Sequence, residues 1–273
     1  MTIISHTVQG IATQDGAGVK LKRIIGQPLL PRLDPFLMLD EFGSDSAQDY
    51  IAGFPPHPHR GFQTVTYMLQ GKMRHKDSVG NSGLIEDGGL QWMNAGRGII
   101  HEEMPQQTHG VLRGFQLWVN LPAHQKMSEP NYQDIPSSMI PEVILKAGKV
   151  RVLAGQFHNI DGVVNTTAVK PQFWDVHLTQ KQAFHADTDP EQSGFIYVYD
   201  GEVNIATKTI TRGICAVLSL SETISVNVES EAKFIFVSGK PINEPIVQYG
   251  PFVMNTEEEI RQAITDYQNG QLT

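Results

Sequence analysis

Two histidine-bearing stretches decide the fold: Gly53-Phe-Pro-Pro-His57-Pro-His59-Arg-Gly-Phe-Gln63 and Gly96-Arg-Gly98-Ile-Ile-His101-Glu102-Glu103. In a strand, residues two apart point to the same face, so His57 and His59 project together, as do His101 and Glu103. If the two stretches are neighbouring strands of a barrel, three imidazoles and one carboxylate converge inside it. This set of nitrogen and oxygen ligands predicts a transition-metal site. Glu102 has the opposite strand parity, and we expect it to face away.

The second stretch strengthens the metal prediction, because a single His-x-His pair is common. Ten histidines in 273 residues give roughly 0.4 such pairs by composition alone. A glycine-rich approach to another histidine, with a carboxylate two residues on, makes chance a poorer explanation. The other seven histidines have no partner pattern, and we expect surface or core roles for them: His6, His75, His109, His124, His158, His177 and His185.

Short β-rich segments separated by Gly, Pro and Asx turns run through the chain and predict an all-β fold of the sandwich or barrel type. Residues 64–69 and 73–76 flank a turn at Gly71, and residues 195–199 and 202–205 flank Asp200-Gly201. Turns of this kind between two apolar segments predict β-hairpins. We therefore expect a hairpin at each of these two places.

The same two places resemble each other, which suggests a duplicated barrel. Tyr67-Met-Leu-Gln-Gly71 and Tyr197-Val-Tyr-Asp-Gly201 lie 130 residues apart, and each is followed by a further turn and an apolar strand. Two copies of one β-barrel would explain both the repeat and the length. The predicted organisation is an N-terminal metal-binding domain at 1–130, a proline-containing linker at 131–141, a C-terminal domain without a metal site at 142–245, and an extension at 246–273.

The extension contains the clearest helix signal in the chain. Thr256-x-x-Glu259 matches a capping box, and Ile260, Ala263, Ile264 and Tyr267 fall on one face. Gly270 is placed to end the helix. We expect this C-terminal helix to dock its apolar face on one of the barrels.

Composition excludes several classes of function. Lys and Arg number 21 against 29 Asp and Glu, a net charge of −8, and there is no basic tract. We therefore expect neither a direct nucleic-acid partner nor membrane association. The single cysteine, Cys215, favours a reducing compartment. With no signal segment at the start, we expect a cytoplasmic protein, a nuclear location staying open for a eukaryotic host. The sequon Asn165-Thr166-Thr167 is attributed to chance.

Longer strings extend the two histidine stretches into a recognisable pattern. The stretches themselves resemble the two motifs of cupins, and the following segments resemble the pirin family, whose members contain two cupin domains: His57-Pro-His-Arg-Gly-Phe62, Leu90-Gln-Trp-Met-Asn-Ala-Gly-Arg-Gly98, His101-Glu-Glu-Met-Pro105, Leu117-Trp-Val-Asn-Leu-Pro122 and Tyr249-Gly-Pro-Phe-Val-Met-Asn-Thr256. The resemblance spans almost the whole chain. It implies an all-β chain of two tandem cupin barrels (double-stranded β-helix, or jelly-roll) with a C-terminal helix, and a metal only in the first barrel.

The resemblance also implies an activity. Pirins are described as quercetin 2,3-dioxygenases, and iron in them is bound by residues that match His57, His59, His101 and Glu103. One divalent transition metal ion per chain is expected, with Fe(II) favoured and other divalent metals open. Three histidines and one carboxylate leave positions free on a six-coordinate iron, which suits dioxygen chemistry. The predicted substrates are a flavonol and O₂, with carbon monoxide released and Glu103 accepting the flavonol proton.

Two other functions remain compatible with the same ligands. Some eukaryotic pirins are described as transcription cofactors, so an iron-dependent regulatory protein with a protein partner and no physiological turnover is the main alternative. A cupin isomerase that uses the metal only as a Lewis acid is the second. Turnover of a flavonol with stoichiometric carbon monoxide separates the first alternative from a dioxygenase, and a requirement for oxygen separates the second.

Gln63 departs from the general cupin motif, and the second barrel lacks the histidines of the first. The general cupin motif has Glu where this chain has Gln63, and a neutral amide is a poor ligand for a divalent ion, so Gln63 is predicted at most to orient a ligand by hydrogen bonding. An offset of 130 residues places Asp187 and Asp189 opposite His57 and His59. Two carboxylates without imidazoles would suit a hard cation such as Ca²⁺ better than Fe(II), but we favour the interpretation of Asp187-Thr-Asp-Pro190 as a solvated turn. Val226 and Val228 are expected to fill the space that a second site would need.

Overall fold

The computed structural model describes residues 2–164 and 168–273, and the sequon at Asn165 lies outside this range. The chain forms two compact units. Residues 11–26, 36–137 and 242–273 form the histidine unit, which contains both histidine stretches. Residues 1–10, 27–35 and 138–241 form the apolar unit. This division differs from the predicted tandem one in two ways. Segments before residue 36 are divided between the units, and residues 246–273 belong to the histidine unit.

The described residues are almost entirely strands and turns. The strands up to residue 137 are β1 (Ile3–Gln9), β2 (Ile11–Asp15), β3 (Val19–Ile25), β4 (Phe36–Ser44), β5 (Phe54–His59), β6 (Phe62–Gln70), β7 (Met73–Asp77), β8 (Ser82–Ile85), β9 (Leu90–Asn94), β10 (Ile99–Pro105), β11 (Leu112–Asn120) and β12 (Asn131–Ile135). The later strands are β13 (Glu142–Leu145), β14 (Gly148–Ala154), β15 (Gln156–Phe157), β16 (Ile160–Asp161), β17 (Gln172–Leu178), β18 (Gln182–Asp187), β19 (Ser193–Asp200), β20 (Glu202–Ile205), β21 (Lys208–Thr211), β22 (Ile214–Ser219), β23 (Thr223–Val228), β24 (Ala232–Gly239), β25 (Val247–Tyr249) and β26 (Phe252–Met254).

Helices are few. The α-helix α1 spans Glu257–Gln268, and short 3-10 turns occupy Ala47–Asp49, Ala123–Gln125 and Ser137–Met139. The predicted capping box is confirmed: the Glu259 N–H donates to the Thr256 hydroxyl, and the Thr256 N–H donates to the Glu259 carboxylate. Ile260 and Ala263 are buried, and the helix packs against Phe252 and Met254 in the same unit. The all-β prediction with a C-terminal helix is therefore confirmed.

Each unit contains a seven-stranded and a four-stranded antiparallel sheet together with a two-stranded one, and the strand order of the two larger sheets matches except at the edge, where β12 in one unit corresponds to β1 in the other. In the histidine unit the sheets run β12-β9-β6-β11-β4-β3-β2 and β5-β10-β7-β8. In the apolar unit they run β1-β22-β19-β24-β17-β14-β13 and β18-β23-β20-β21. This matching order is the duplication that the 130-residue repeat predicted. It gives β18 and β23 the places that β5 and β10 occupy in the histidine unit.

The two predicted hairpins are wrong, although the strands and turns themselves are present. β6 pairs with β9 and β11, whereas β7 pairs with β8 and β10, so the chain changes sheet at Gly71. β19 and β20 are separated in the same way at Gly201. Turn residues specify a reversal of the chain, but which strand pairs with which is decided by how the two apolar sheet faces cover each other.

Apolar side chains fill the interior of the apolar unit at the places that correspond to the histidines. Phe184 on β18 is opposite Val226 on β23, and both are buried in the core with Val228, as expected for Val226 and Val228. The turn interpretation holds for Asp189 but not for Asp187, which is the last residue of β18 and lies opposite Thr223. Both residues are exposed, and the Asp189 carboxylate accepts the Glu191 N–H at 2.9 Å, as in an Asx turn.

A search for membrane-spanning helices among residues 2–164 and 168–273 finds no helix with the length and apolar character needed to cross a bilayer.

The filled interior predicts that the apolar unit takes up no transition metal, because its described core residues are apolar and packed side chains occupy the space. Crystals grown or soaked with Fe(II) should therefore show no iron anomalous density among β18, β20 and β23. A peak between residues 187 and 230 would contradict this prediction.

Candidate metal centre

Strand pairing brings the two histidine stretches together. β5 and β10 are antiparallel neighbours, and His57 lies directly opposite His101, while His59 lies opposite Ile99. The parity argument from the sequence therefore holds for the three histidines. Their ligand atoms all lie within 4.8 Å of one another, so the set His57, His59 and His101 could hold a metal ion.

The spacing of the first two imidazoles matches adjacent ligands of one ion. The Nε2 atoms of His57 and His59 are 3.1 Å apart. Metal–nitrogen bonds of about 2.1 Å at right angles would place two nitrogens ~3.0 Å apart. Two imidazole lone pairs this close repel each other unless a proton or a cation lies between them. A cation bound by both nitrogens satisfies this requirement.

Hydrogen bonding fixes which nitrogen of His57 faces the centre. Its Nδ1 lies 2.8 Å from the carbonyl oxygen of Pro55, which can only accept, so Nδ1 carries the proton. The Nε2 lone pair is then directed towards His59. Second-sphere hydrogen bonds of this kind orient the imidazole ligands of metal sites.

Burial keeps the other two histidines in the form that binds metal. His59 and His101 are 3% and 1% exposed. Burial, with the charges of neighbouring histidines, lowers the pKa of both imidazoles well below the usual value. Both nitrogens of His101 are buried without a hydrogen-bond partner, and an unsatisfied buried polar atom is costly. A bound metal ion would satisfy one of them.

Aromatic rings hold His59 in place. Phe62 and Trp118 lie with their ring centroids 5.0 and 5.2 Å from that of the His59 imidazole, and they also contact each other. His57 is only partly buried. The three-histidine set is therefore open to solvent on the His57 side and enclosed by packed side chains on the other.

Glu103 is buried near the histidines but lies outside the compact set. It is 4% exposed, and the charge of His57 is among the influences on its pKa. Burial is the largest of these and raises the pKa of the Glu103 carboxyl, while His57, the Thr66 hydroxyl and His75 oppose the rise. Its carboxylate is not among the ligand atoms that lie within 4.8 Å of one another. Glu103 as a metal ligand stays a prediction.

A small polar network holds the Glu103 carboxylate. The Thr66 hydroxyl lies 3.1 Å from Glu103 Oε1 and 2.6 Å from Gln116 Oε1. Both of these contacts are with acceptor oxygens, so the single hydroxyl proton of Thr66 is shared between the Glu103 carboxylate and the Gln116 side-chain carbonyl. Glu103 Oε1 takes part in this contact, and Oε2 is left for a ligand or a proton.

Sequence reasoning missed this network and one further histidine. His75 on β7 lies opposite Glu103 on β10, is buried, and has its Nε2 3.3 Å from the Asp134 carboxylate, which also accepts from Gln91. Strand parity alone would have placed His75 on the inner face if the pairing of β7 with β10 had been known. Nothing in the sequence indicates this pairing.

The remaining predicted residues lie away from the centre. The Gln63 carbonyl accepts the Trp92 indole N–H at 3.2 Å, on the opposite face of β6 from Thr64 and Thr66. Gln63 is therefore not a hydrogen-bonding partner of a metal ligand. Glu102 also faces away from the histidines, as expected, with its carboxylate 3.9 Å from the Lys76 ammonium.

Removing one ligand should abolish or greatly weaken metal binding. Loss of groups that merely support ligands costs about 10–100-fold in metal affinity, and loss of a ligand should cost at least that. We expect His57→Ala and His101→Ala to purify with little or no metal, measured by elemental analysis. His185→Ala is the matched control, because His185 is exposed on β18. Full occupancy in both site variants would contradict the prediction.

Comparison with known proteins places this geometry in a family. The Pirin family model matches residues 18–119, and the model of the Pirin C-terminal cupin domain matches residues 173–273. A Pseudomonas aeruginosa protein, provisionally named a quercetin 2,3-dioxygenase, is 46% identical over 280 residues, which cover 98% of this chain and 96% of that protein. A pirin-like protein of Caulobacter vibrioides is 45% identical over 265 residues, 96% of each chain.

A solved structure agrees with both relatives. The crystal structure of a quercetin 2,3-dioxygenase from Acinetobacter baumannii matches with a TM-score of 0.92 and 35% sequence identity, covering 100% of this chain and 98% of that one. Family models, full-length relatives and structure therefore agree on two cupin domains, and the chain belongs to the pirin family.

Proposed function

We propose that this protein is a metal-dependent dioxygenase that cleaves flavonols such as quercetin, with Fe(II) as its metal. The observation that supports this best is the convergence of three imidazoles, two of them deeply buried and held neutral, beside a buried carboxylate. The names of the relatives from P. aeruginosa and A. baumannii support the reaction class. The substrates would be the flavonol and O₂, and the flavonol ring would open with release of carbon monoxide.

The residues fit a transition-metal ion by their donor chemistry. His57, His59 and His101 would hold it, and Glu103 is the proposed fourth ligand. Three imidazoles suit iron and its divalent neighbours rather than Ca²⁺ or Mg²⁺, which prefer oxygen ligands. When bound, the metal would supply Lewis acidity towards the flavonol oxygen and the electron exchange that dioxygen chemistry requires.

Glu103 is the group best placed to accept the flavonol proton. The Thr66 hydroxyl contacts its Oε1, and the carboxylate would become a weaker metal ligand as it accepts the proton. Burial raises the pKa of this carboxyl, which brings it closer to the operating pH, as effective general bases require. The partly exposed side of His57 offers a route by which a planar aromatic substrate could reach the centre.

The enclosing side chains would restrict water. Phe62 and Trp118 pack against His59, and Met93 and Thr64 lie on the same sheet face, paired across β6 and β9. Exclusion of water strengthens electrostatic interactions in the site and protects reactive intermediates from hydrolysis.

The test is aerobic incubation of the iron-loaded protein with quercetin, following loss of the flavonol and release of carbon monoxide. We expect one carbon monoxide for each quercetin and each O₂ consumed. Conversion without oxygen would indicate an isomerase, and a lack of turnover by fully iron-loaded protein would favour the regulatory alternative. Either result would contradict the dioxygenase proposal.

Replacing Glu103 tests its role as a base. Glu103→Gln keeps the size of the side chain but removes its charge and its basic oxygen, so kcat for quercetin should fall by at least about 100-fold. Glu102→Gln is the matched control on the opposite face of β10 and should retain activity. Unchanged turnover of Glu103→Gln at equal iron content would show that Glu103 is neither base nor essential ligand.

A further inference from the structure

Arg60, the residue after His59, connects both histidine stretches to residues 251–272, which we call the C-terminal segment. It is 4% exposed. Its Nε donates to the Arg97 carbonyl in the turn that precedes β10, and its Nη1 donates to the Asp266 carboxylate on α1 at 2.6 Å. Its Nη2 lies 3.5 Å from the Leu272 carbonyl. The side chain of Arg60, which directly follows His59, therefore contacts both the turn before His101 and the C-terminal segment.

Backbone hydrogen bonds connect the same three segments. The Arg60 N–H donates to the Pro251 carbonyl at 3.3 Å, and the Val253 N–H donates to the Arg60 carbonyl at 3.0 Å. The Gly61 N–H donates to the Gly96 carbonyl at 2.9 Å, which connects the two ligand-bearing stretches directly.

Two glycines show how closely the C-terminal segment approaches. Gly61 has φ +88°, and a Cβ there would be 2.0 Å from the Val253 carbonyl oxygen. Gly98 has φ +150°, and a Cβ there would be 2.2 Å from the Leu272 carbonyl oxygen. Only glycine allows backbone contact of this kind. The C-terminal segment is thus in contact with the residues that flank the ligands in both stretches.

A second buried cation strengthens this contact. Lys126 is 1% exposed, and its ammonium donates to the Gly61 carbonyl, the Val253 carbonyl and the Asn120 side chain at 2.7, 2.9 and 2.7 Å. All three of its protons are therefore used. Lys126 fixes the peptide that follows Arg60 against the C-terminal segment.

Charge balance makes Asp266 the critical member of this cluster. Arg60 cannot lose its proton, and an unpaired buried charge is strongly destabilising. Asp266 is the carboxylate that pairs with Arg60, and that hydrogen bond lowers the pKa of Asp266. Without this carboxylate, the buried guanidinium would be unpaired, and it would lower its free energy by moving towards solvent. His59 is attached to the same backbone, so its imidazole would move with Arg60.

We propose that Asp266 is a positioning residue of the metal centre: it anchors Arg60 so that His59 and His101 keep the separation that a metal ion requires. This inference rests on the proposed metal site, but not on flavonol cleavage. It extends the centre to a helix that begins more than 150 residues after His101 in the sequence.

The experiment measures Co(II) binding to the full-length apoprotein, without substrate. Co(II) reports affinity through titration and ligand geometry through its visible absorption. Asp266→Asn keeps the size of the side chain and removes the charge, and it should weaken Co(II) binding by about 10–100-fold and shift the visible bands. Asp266→Glu, which restores the charge, should recover most of the affinity.

Arg261→Gln is the matched control. Arg261 is on the same helix, but its ion pairs are with the exposed Glu257 and Glu258, away from Arg60. It should bind Co(II) as the parent does. Circular dichroism at the titration temperature verifies that each variant is folded. If Asp266→Asn does not fold, the double variant Arg60→Gln/Asp266→Asn takes its place: it leaves no unpaired buried charge, but it lacks the ion pair and should show the same loss of Co(II) affinity.

Parent-like affinity and spectrum in the folded variant that lacks the Asp266 charge would overturn the inference and leave the proposed function intact. Failure of the parent to bind Co(II) would instead overturn the metal site, and the inference with it. Normal Co(II) binding by the parent, without quercetin turnover by the iron-loaded form, would contradict only the proposed reaction.

Discussion

The antiparallel pairing of β5 with β10 is the constraint on which the candidate centre depends. It sets His57 opposite His101 and places His59, two residues further along β5, on the same face. Strand alternation then directs all three imidazoles into the interior. A shift of one residue in this register would turn His101 to the outer face and bring Glu102 inside. The hydrogen bonds of Gly61 to Gly96 and of Arg60 to Arg97 hold the two strands in the productive register.

Burial gives these histidines their chemical character. In water an imidazole is partly protonated near neutral pH, and a protonated nitrogen cannot bind a metal. The interior disfavours the charged form, so His59 and His101 are held neutral with their lone pairs available. The same burial raises the pKa of Glu103. One physical effect therefore acts on both the candidate ligands and the proposed base, and at Glu103 the charges of His57 and His75 and the Thr66 hydroxyl oppose it.

The two units show how one strand order accommodates different interiors. β5 and β10 carry histidines, whereas β18 and β23, at the same places in the order, carry Phe184, Val226 and Val228. Apolar packing stabilises the apolar unit through burial of surface. The histidine unit instead contains polar groups that need partners, and it obtains them from Thr66, Gln116, Asp134 and the C-terminal segment. The polar interior requires more of the chain to support it.

Local patterns in the sequence predict many of the strands, the C-terminal helix and the convergence of three histidines. Alternating parity predicted that His57 and His59 share a face, the capping box predicted α1, and the repeat at Gly71 and Gly201 indicated a duplicated fold. These features are local, because side-chain direction and capping depend on residues a few positions apart. Tertiary structure alone decided the rest. Contacts between distant segments place β6 and β7 in different sheets and His75 opposite Glu103. Such contacts also include the hydrogen bond from Trp92 to Gln63 and the ion pair of Asp266 with Arg60. Such contacts are set by the packing of whole sheets and by the need to neutralise buried charge, which no short stretch of sequence encodes.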